Sequence, residues 1–303
     1  MSAHRSKSRK RLLQYPYALQ SFLGHLEGTG KSAHTISNYK LDLNSFHRFL
    51  EKHQKKVQLE NVFHKDLQSY SSFLITEGFK VNTQRRKLLT LKKFFKYLAS
   101  RKLINIELGT QMATPFKVER VPESIDSKIL LNHILEVPLT PILSLRNRLL
   151  LRTLFETGCS VSEISTLSFY SFLQLDKANS HVLSFEGKNQ RRVPISAQFF
   201  SEIQELKRQS KNKDYPFLGF NKFGPLQGRI SPRAIELLVK HFGAKWGIKK
   251  ITPRIIRHSV VVAWYKQGLS KDEIQKRLGL KTAYSFKIYE PIFAKLDPTR
   301  KPH

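Results

Sequence analysis

Residues 252–259 read Thr252-Pro253-Arg254-Ile255-Ile256-Arg257-His258-Ser259 and open a helical pattern that runs from Pro253 to Gln267. Arg254 and Arg257 lie three apart, so on a helix they share a face and can fork one phosphate. Around this stretch apolar residues recur at three- and four-residue steps over Ser127–Leu135, Leu145–Glu156, Ala197–Gln209, Pro232–Trp246 and Ser270–Leu278. Ser270-Lys271-Asp272-Glu273 has the pattern of a capping box at the start of the last of these. Two β-like runs, His181–Phe185 and Arg191–Ile195, flank a short glycine-containing loop and predict a hairpin. The expected class is therefore mainly α with a small antiparallel β-sheet.

The first hundred residues are helical in pattern as well. Ile36, Tyr39, Leu43, Phe46 and Leu50 mark a helix over His34–Leu50, and Leu67, Tyr70 and Leu74 mark one over Lys65–Thr76. From Thr83 to Ala99, Leu88, Leu91, Phe95 and Leu98 line one face. The other faces carry Arg85, Arg86, Lys87, Lys92, Lys93 and Lys96 with no acidic residue among them. Ion pairing along the helix cannot account for such a run, so these six are expected to face phosphate. Periodicity fades through Gly109, Pro115 and Pro122. The expected organisation is a basic arm over 1–14, a helical basic domain over 15–105, a linker over 106–120 and a second domain over 121–303.

Composition narrows the function. Fifty-three Lys and Arg against 23 Asp and Glu leave a formal charge of +30, in a chain of 303 residues with 40% hydrophobic content. That balance predicts packed cores and a polyanionic partner. The single cysteine, Cys159, excludes an internal disulfide and a multi-thiolate zinc site. No Walker loop, dinucleotide-binding glycine fingerprint or cluster with metal-ligand spacing is present. His241 and His258 stand isolated and read as structural or surface residues. No apolar run approaches a membrane span, and no signal core follows the basic N-terminus.

The order of four motifs in the second half resembles the tyrosine recombinases of the lambda-integrase and Xer family. Thr157-Gly158-Cys159-Ser160-Val161-Ser162-Glu163-Ile164 is similar to that family's TGLRxSEL. Gly187-Lys188, followed by Arg191-Arg192-Val193-Pro194-Ile195, is similar to GKGxKxRxVPL, and residues 252–259 are similar to TPHxLRHS. Leu278-Gly279-Leu280, with Tyr289 nine residues further on, is similar to LGH and the nucleophilic tyrosine. Residues 15–105 are similar in pattern to the family's helical core-binding domain, which implies a C-shaped clamp around double-stranded DNA.

That resemblance implies a reaction and a set of roles. Tyr289 would attack the scissile phosphate and hold the strand as a 3′-phosphotyrosine, Arg257 would bind the non-bridging oxygens, and Lys188 would protonate the 5′ oxygen. No metal or nucleotide cofactor is implied, because the linkage to tyrosine stores the phosphodiester energy. The implied partners are DNA and further copies of the chain, as a tetramer on paired sites, or a partner recombinase. The implied setting is the DNA of a bacterial cytoplasm, and the segment Pro291–His303, with Phe293 and Leu296, would be a frayed tail or would dock on a neighbouring protomer.

Three positions depart from the family pattern. Ser160 replaces its first arginine, Arg254 its usual histidine, and Leu280 the histidine of LGH. One lost donor at a reacting centre costs about 10²–10³ in rate, and arginines at phosphoryl centres are worth about 10³–10⁵. Arg254 either replaces part of the charge absent at Ser160 or contacts a neighbouring backbone phosphate. Two expectations follow: a site-specific recombinase or integrase acting through Tyr289, or a recombinase-like DNA-binding protein that has lost catalysis and serves as a plasmid-maintenance, regulatory or accessory factor. A nonspecific basic binder is the weaker third.

Overall fold

The computed structural model describes residues 13–53, 58–104, 107–110, 112–118, 121–175, 180–221, 224–282 and 286–297. The proposed arm lies outside these except for Leu13 and Gln14. The chain divides into two compact units, residues 1–119 and 120–303.

The first unit is built on four helices: α1 (Tyr15–Gly28), α2 (Ala33–His53), α3 (His64–Thr76) and α4 (Val81–Ser100). Pro16 suits the first turn of α1, where its missing N–H leaves no helical bond unmade. Tyr15, Leu19, Phe22 and Leu26 then bury one face of that helix. They meet Leu43, Phe46 and Leu50 of α2, Tyr70 of α3 and Phe94 and Phe95 of α4 in one core. Tyr15 is buried because its hydroxyl is satisfied, donating to the Leu43 carbonyl at 2.8 Å. A single helical turn, α5 (Glu107–Thr110), follows. Leu108 and Met112 pack on the same core. Asn82 exchanges two hydrogen bonds with Val118, at 2.9 and 3.0 Å, so residues 107–118 are tied to this unit.

The second unit opens with α6 (Ser127–Leu135) and surrounds α7 (Ile142–Thr157), which is packed on several sides and so lacks a polar face. Three of its arginines are buried for structural reasons. Arg148 and Arg152 both reach Glu202 of α9 (Ala197–Gln209) at 3.0 Å, and Arg152 also pairs with Glu156 at 2.7 Å. Arg146 donates to the Leu218 carbonyl and stacks over the Phe220 ring. Between α7 and the sheet lies the short α8 (Val161–Ile164). The sheet runs in the order β1 (Phe172–Leu175), β2 (Ser180–Phe185), β3 (Arg191–Ile195), all antiparallel. Pro194 is tolerated because β3 is an edge strand. A second hairpin, β4 (Leu218–Asn221) with β5 (Gly224–Arg229), precedes α10 (Pro232–Lys245), α11 (Pro253–Lys266), α12 (Lys271–Leu278) and α13 (Glu290–Leu296).

The capping box expected at Ser270 is formed by one arm only: Ser270 Oγ accepts from the Glu273 amide at 3.1 Å, while the Glu273 carboxylate instead receives Arg277 at 3.0 Å. The reciprocal box forms at Ser160 and Glu163. Phe293 does not point away toward a neighbour. It is 2% exposed and stacks on Tyr265 within its own unit, with ring centroids 4.1 Å apart.

Candidate active site

Helix α11 begins at Thr252, whose hydroxyl accepts from the Ile255 amide at 3.1 Å. Arg254, Arg257 and His258 therefore lie on one face of its first two turns. Arg257 is clasped by the carboxyl ends of two other helices. It donates to the Gly158 carbonyl at 2.7 Å, just beyond α7, and to the Leu278 carbonyl at 3.1 Å, at the end of α12. Helix ends carry unsatisfied carbonyls and partial negative charge, so they hold a guanidinium without consuming an acid. Both helices stop at left-handed glycines, Gly158 with φ 58° and Gly279 with φ 68°. A Cβ on Gly279 would come within 2.9 Å of the Arg191 guanidinium.

Arg254 and Arg257 line a cavity of about 930 Å³, together with Ser160, Glu163, Asn189, Lys240, Gly279 and Leu280. Ser160 spends neither charge nor reach on this space: its hydroxyl donates to Glu163 at 2.9 Å and caps α8. Glu163 in turn pairs with Arg191 of β3. These contacts and the Ser160 amide hold the Glu163 carboxyl below the ordinary carboxylate range despite its burial, which pushes the other way. Leu280 contributes an apolar wall. Cys159 is buried, which pushes its thiol up to about 12 and leaves it unreactive.

Tyr289 is 2% exposed, and its hydroxyl lies 2.9 Å from Nδ1 of His258. Arg254 Nε donates to the other ring nitrogen of His258 at 3.2 Å. Burial raises the phenol pKa, and the nearby Arg257 and Arg254 cations pull it back. Burial, then Arg254 and Arg257, lower His258 to about 4, so it is neutral near pH 7. The expectation that His258 stands alone is therefore corrected. Its ring touches both Arg254 and Tyr289, and its place beside Arg257 in the quoted motif was the signal for it.

The structure thus brings Tyr289, Arg257 and Arg254 together, with Ser160 and Leu280 on the same cavity wall as the two arginines. Lys188 lies in a 3₁₀ turn over Gly187–Asn189 at the hairpin tip, and its side chain lies outside the described residues. Lys240 and Asn189 also line the cavity, although no motif marks Lys240.

The six cations of α4 divide. Lys87 is buried and faces Asp42 of α2 at 3.6 Å, so it is withdrawn from the phosphate-facing set. Asp42 also pairs with Arg86 and accepts from Thr90. Distance along the sequence hid this partner, which sits 44 residues before Arg86. Arg85 donates to the Pro115 carbonyl at 2.6 Å and Lys93 to the Tyr39 hydroxyl at 2.7 Å. Arg85, Arg86 and Lys93 nevertheless line a groove of about 560 Å³ with Asn38, Asn82 and Lys117. Lys96 is exposed and Lys92 half-buried.

Comparison with known proteins gives the family. The profile of the phage integrase family matches residues 129–294, and that of the phage integrase N-terminal SAM-like domain matches residues 19–102. The chain belongs to the phage integrase family of tyrosine recombinases. It is similar to tyrosine recombinase XerC of Chlamydia trachomatis serovar L2, 27% identical over 225 residues that span 71% of this chain and 68% of that one. It is also similar to tyrosine recombinase XerA of Pyrococcus furiosus, 26% identical over 222 residues, 73% of this chain and 74% of that one. The fold is shared with XerH bound to difH substrate in a pre-cleavage complex, with a TM-score of 0.66 at 20% identity over 87% of this chain and 79% of that one. It is shared too with a lambda integrase tetramer bound to a Holliday junction, with a TM-score of 0.64 at 15% identity over 88% and 76%. Among the described residues, no helix of this family member is long and apolar enough to cross a membrane.

Proposed function

We propose that this recombinase cleaves and rejoins double-stranded DNA through Tyr289, with Arg257 and Arg254 on the non-bridging oxygens of the scissile phosphate and Lys188 as the acid for the 5′ oxygen. The observation that carries this reading is the meeting of the Tyr289 hydroxyl with two guanidinium groups that border one open cavity, Arg254 through His258 and Arg257 directly beside the phenol. A phosphoryl centre needs preorganised donors where negative charge gathers, and Arg257 is already fixed by two carbonyls before DNA arrives. No acidic side chain pairs with Arg254 or Arg257 among the described residues, so both cations are open to a phosphate. Arg254 supplies a charge that Ser160 does not. Because Tyr289 is buried, DNA binding must uncover its oxygen before attack.

DNA affinity comes from the exposed cations of both units, and neutralised phosphates release counterions, so affinity falls steeply with salt. Strand exchange by a tyrosine enzyme handles four strands, which makes assembly of several copies on paired sites part of the proposal. The test is incubation with nicked duplexes built on sequences that the protein itself selects from random DNA. A protein–DNA band that survives denaturation and is lost in Tyr289→Phe supports the reading. Tight, salt-sensitive binding without that band refutes it and makes the chain an accessory DNA binder.

A further inference from the structure

The donor and acceptor roles within the Arg254–His258–Tyr289 chain are fixed by chemistry. An arginine Nε carries a hydrogen and cannot accept, so His258 Nε2, which faces it at 3.2 Å, must be the bare nitrogen. A neutral imidazole then bears its hydrogen on Nδ1, and that N–H points at the Tyr289 oxygen 2.9 Å away. Among the described residues, Arg254 and Arg257 on its own helix and Tyr289 from the C-terminal segment are the charged or titratable groups facing the ring. None of them is an acid that would draw a second proton onto it.

From this geometry we infer that His258, locked by Arg254 as the Nδ1–H tautomer, is a positioning residue that gives a hydrogen bond to the Tyr289 oxygen and supports its ionisation during attack. The inference rests on the proposed role of Tyr289 as nucleophile. Burial of the phenol resists its ionisation and raises its pKa. A fixed N–H aimed at the oxygen, with two cations behind it, opposes that resistance. The phenolic proton passes to water rather than to His258. The Tyr289 oxygen bonds to phosphorus as the bond from phosphorus to the 5′ oxygen breaks, and that oxygen takes its proton from Lys188. His258 is therefore a donor throughout and never the base. Arg254 acts twice in this arrangement, since its Nε sets the ring's tautomer while its two terminal nitrogens, which have no bonded partner among the described residues, are free for phosphate.

Two substitutions separate a donor from a base. Asn places an amide N–H near the position of Nδ1 but cannot take a proton, whereas Phe fills the space and can do neither. On the selected nicked duplexes, His258→Phe should slow covalent-adduct formation about 10²–10³-fold, as for loss of one preorganised donor, while His258→Asn stays within about tenfold of wild type. The pH profile of His258→Asn should have the same shape as that of wild type between pH 5 and 8, given a ring already neutral there. Thermal melting and salt-dependent DNA binding confirm that each variant is folded. An Asn variant as slow as Phe, with an inflection lost from the profile, makes His258 the base and overturns the inference. A Phe variant as fast as wild type or faster makes the bond a restraint on the resting tyrosine and also overturns it.

Nitrogen-15 NMR of the free protein supplies a readout without turnover. The His258 proton should sit on Nδ1 in wild type and redistribute toward Nε2 in Arg254→Gln. A wild-type ring protonated on Nε2 refutes the inference even where adducts form. Conversely, an Nδ1–H ring in a wild type that forms no adduct refutes the proposed nucleophile, and the catalytic use of His258 falls with it.

Discussion

The two units both gather cations, and they hold them in opposite ways. In the first, Arg85, Arg86, Lys87, Lys92, Lys93 and Lys96 lie on one helix, and an acid from another helix, Asp42, takes Arg86 and Lys87. In the second, Arg254 and Arg257 share a helix face, but the groups holding Arg257 are carbonyls at the ends of α7 and α12. A carbonyl clasp orients a guanidinium while leaving its net charge for a ligand, whereas a buried carboxylate cancels the charge it holds. A cation's availability is thus set by what pairs with it, and counting basic residues along a helix overstates the binding surface.

That contrast can be broken most directly at its strongest point. Replacing Arg257 by Ala should lower covalent-adduct formation about 10³-fold or more, with DNA binding retained, since an arginine at a phosphoryl centre is worth that much. A gel assay for the adduct checks this, and an unchanged rate would place the phosphate elsewhere.

At the opposite pole, Asp42→Ala should leave Lys87 buried without its acid and destabilise the first unit by about 3 kcal/mol, measurable by chemical denaturation. A smaller loss in stability with stronger DNA binding would mean that Lys87 escapes to solvent. Next in size, Lys96→Ala, at an exposed cation, should weaken binding to all sequences alike and reduce the salt slope by about one, while Lys87→Ala leaves that slope unchanged.

A separate effect is on the pH dependence of stability. His258 titrates at about 4 in the folded chain, below the ordinary 6.5. As pH falls, the unfolded chain therefore binds this proton first. Its contribution to stability is complete above about 6.5 and is lost progressively toward about 4. Melting curves at neutral and acidic pH should differ less in His258→Asn than in wild type.

These comparisons also show which parts of the molecule were legible in sequence. Strand β3 and helix α9 follow their apolar spacing residue for residue, because each buries a single face against one core. Helix α1 is hidden although Tyr15, Leu19, Phe22 and Leu26 have helical spacing, because Pro16 reads as a break and is in fact a start. Strand β1 and the β4–β5 hairpin are four to six residues long, too short for an apolar alternation to stand out although their pairing partners are close in sequence. At the site, the motifs led to Tyr289, Arg257, Ser160 and Leu280. They held His258 without giving it a role, because its meaning comes from a tyrosine 31 residues later, and they did not reach Asp42, which only folding brings beside α4.

The central claim is that the Tyr289 oxygen becomes bonded to a DNA phosphorus. Digestion of wild-type protein trapped on a nicked duplex, followed by mass spectrometry, should find a nucleotide 3′-phosphate on the peptide containing Tyr289 and on no other peptide. A trapped nucleotide on a different residue, or none on protein that has bound the duplex fully, would contradict it.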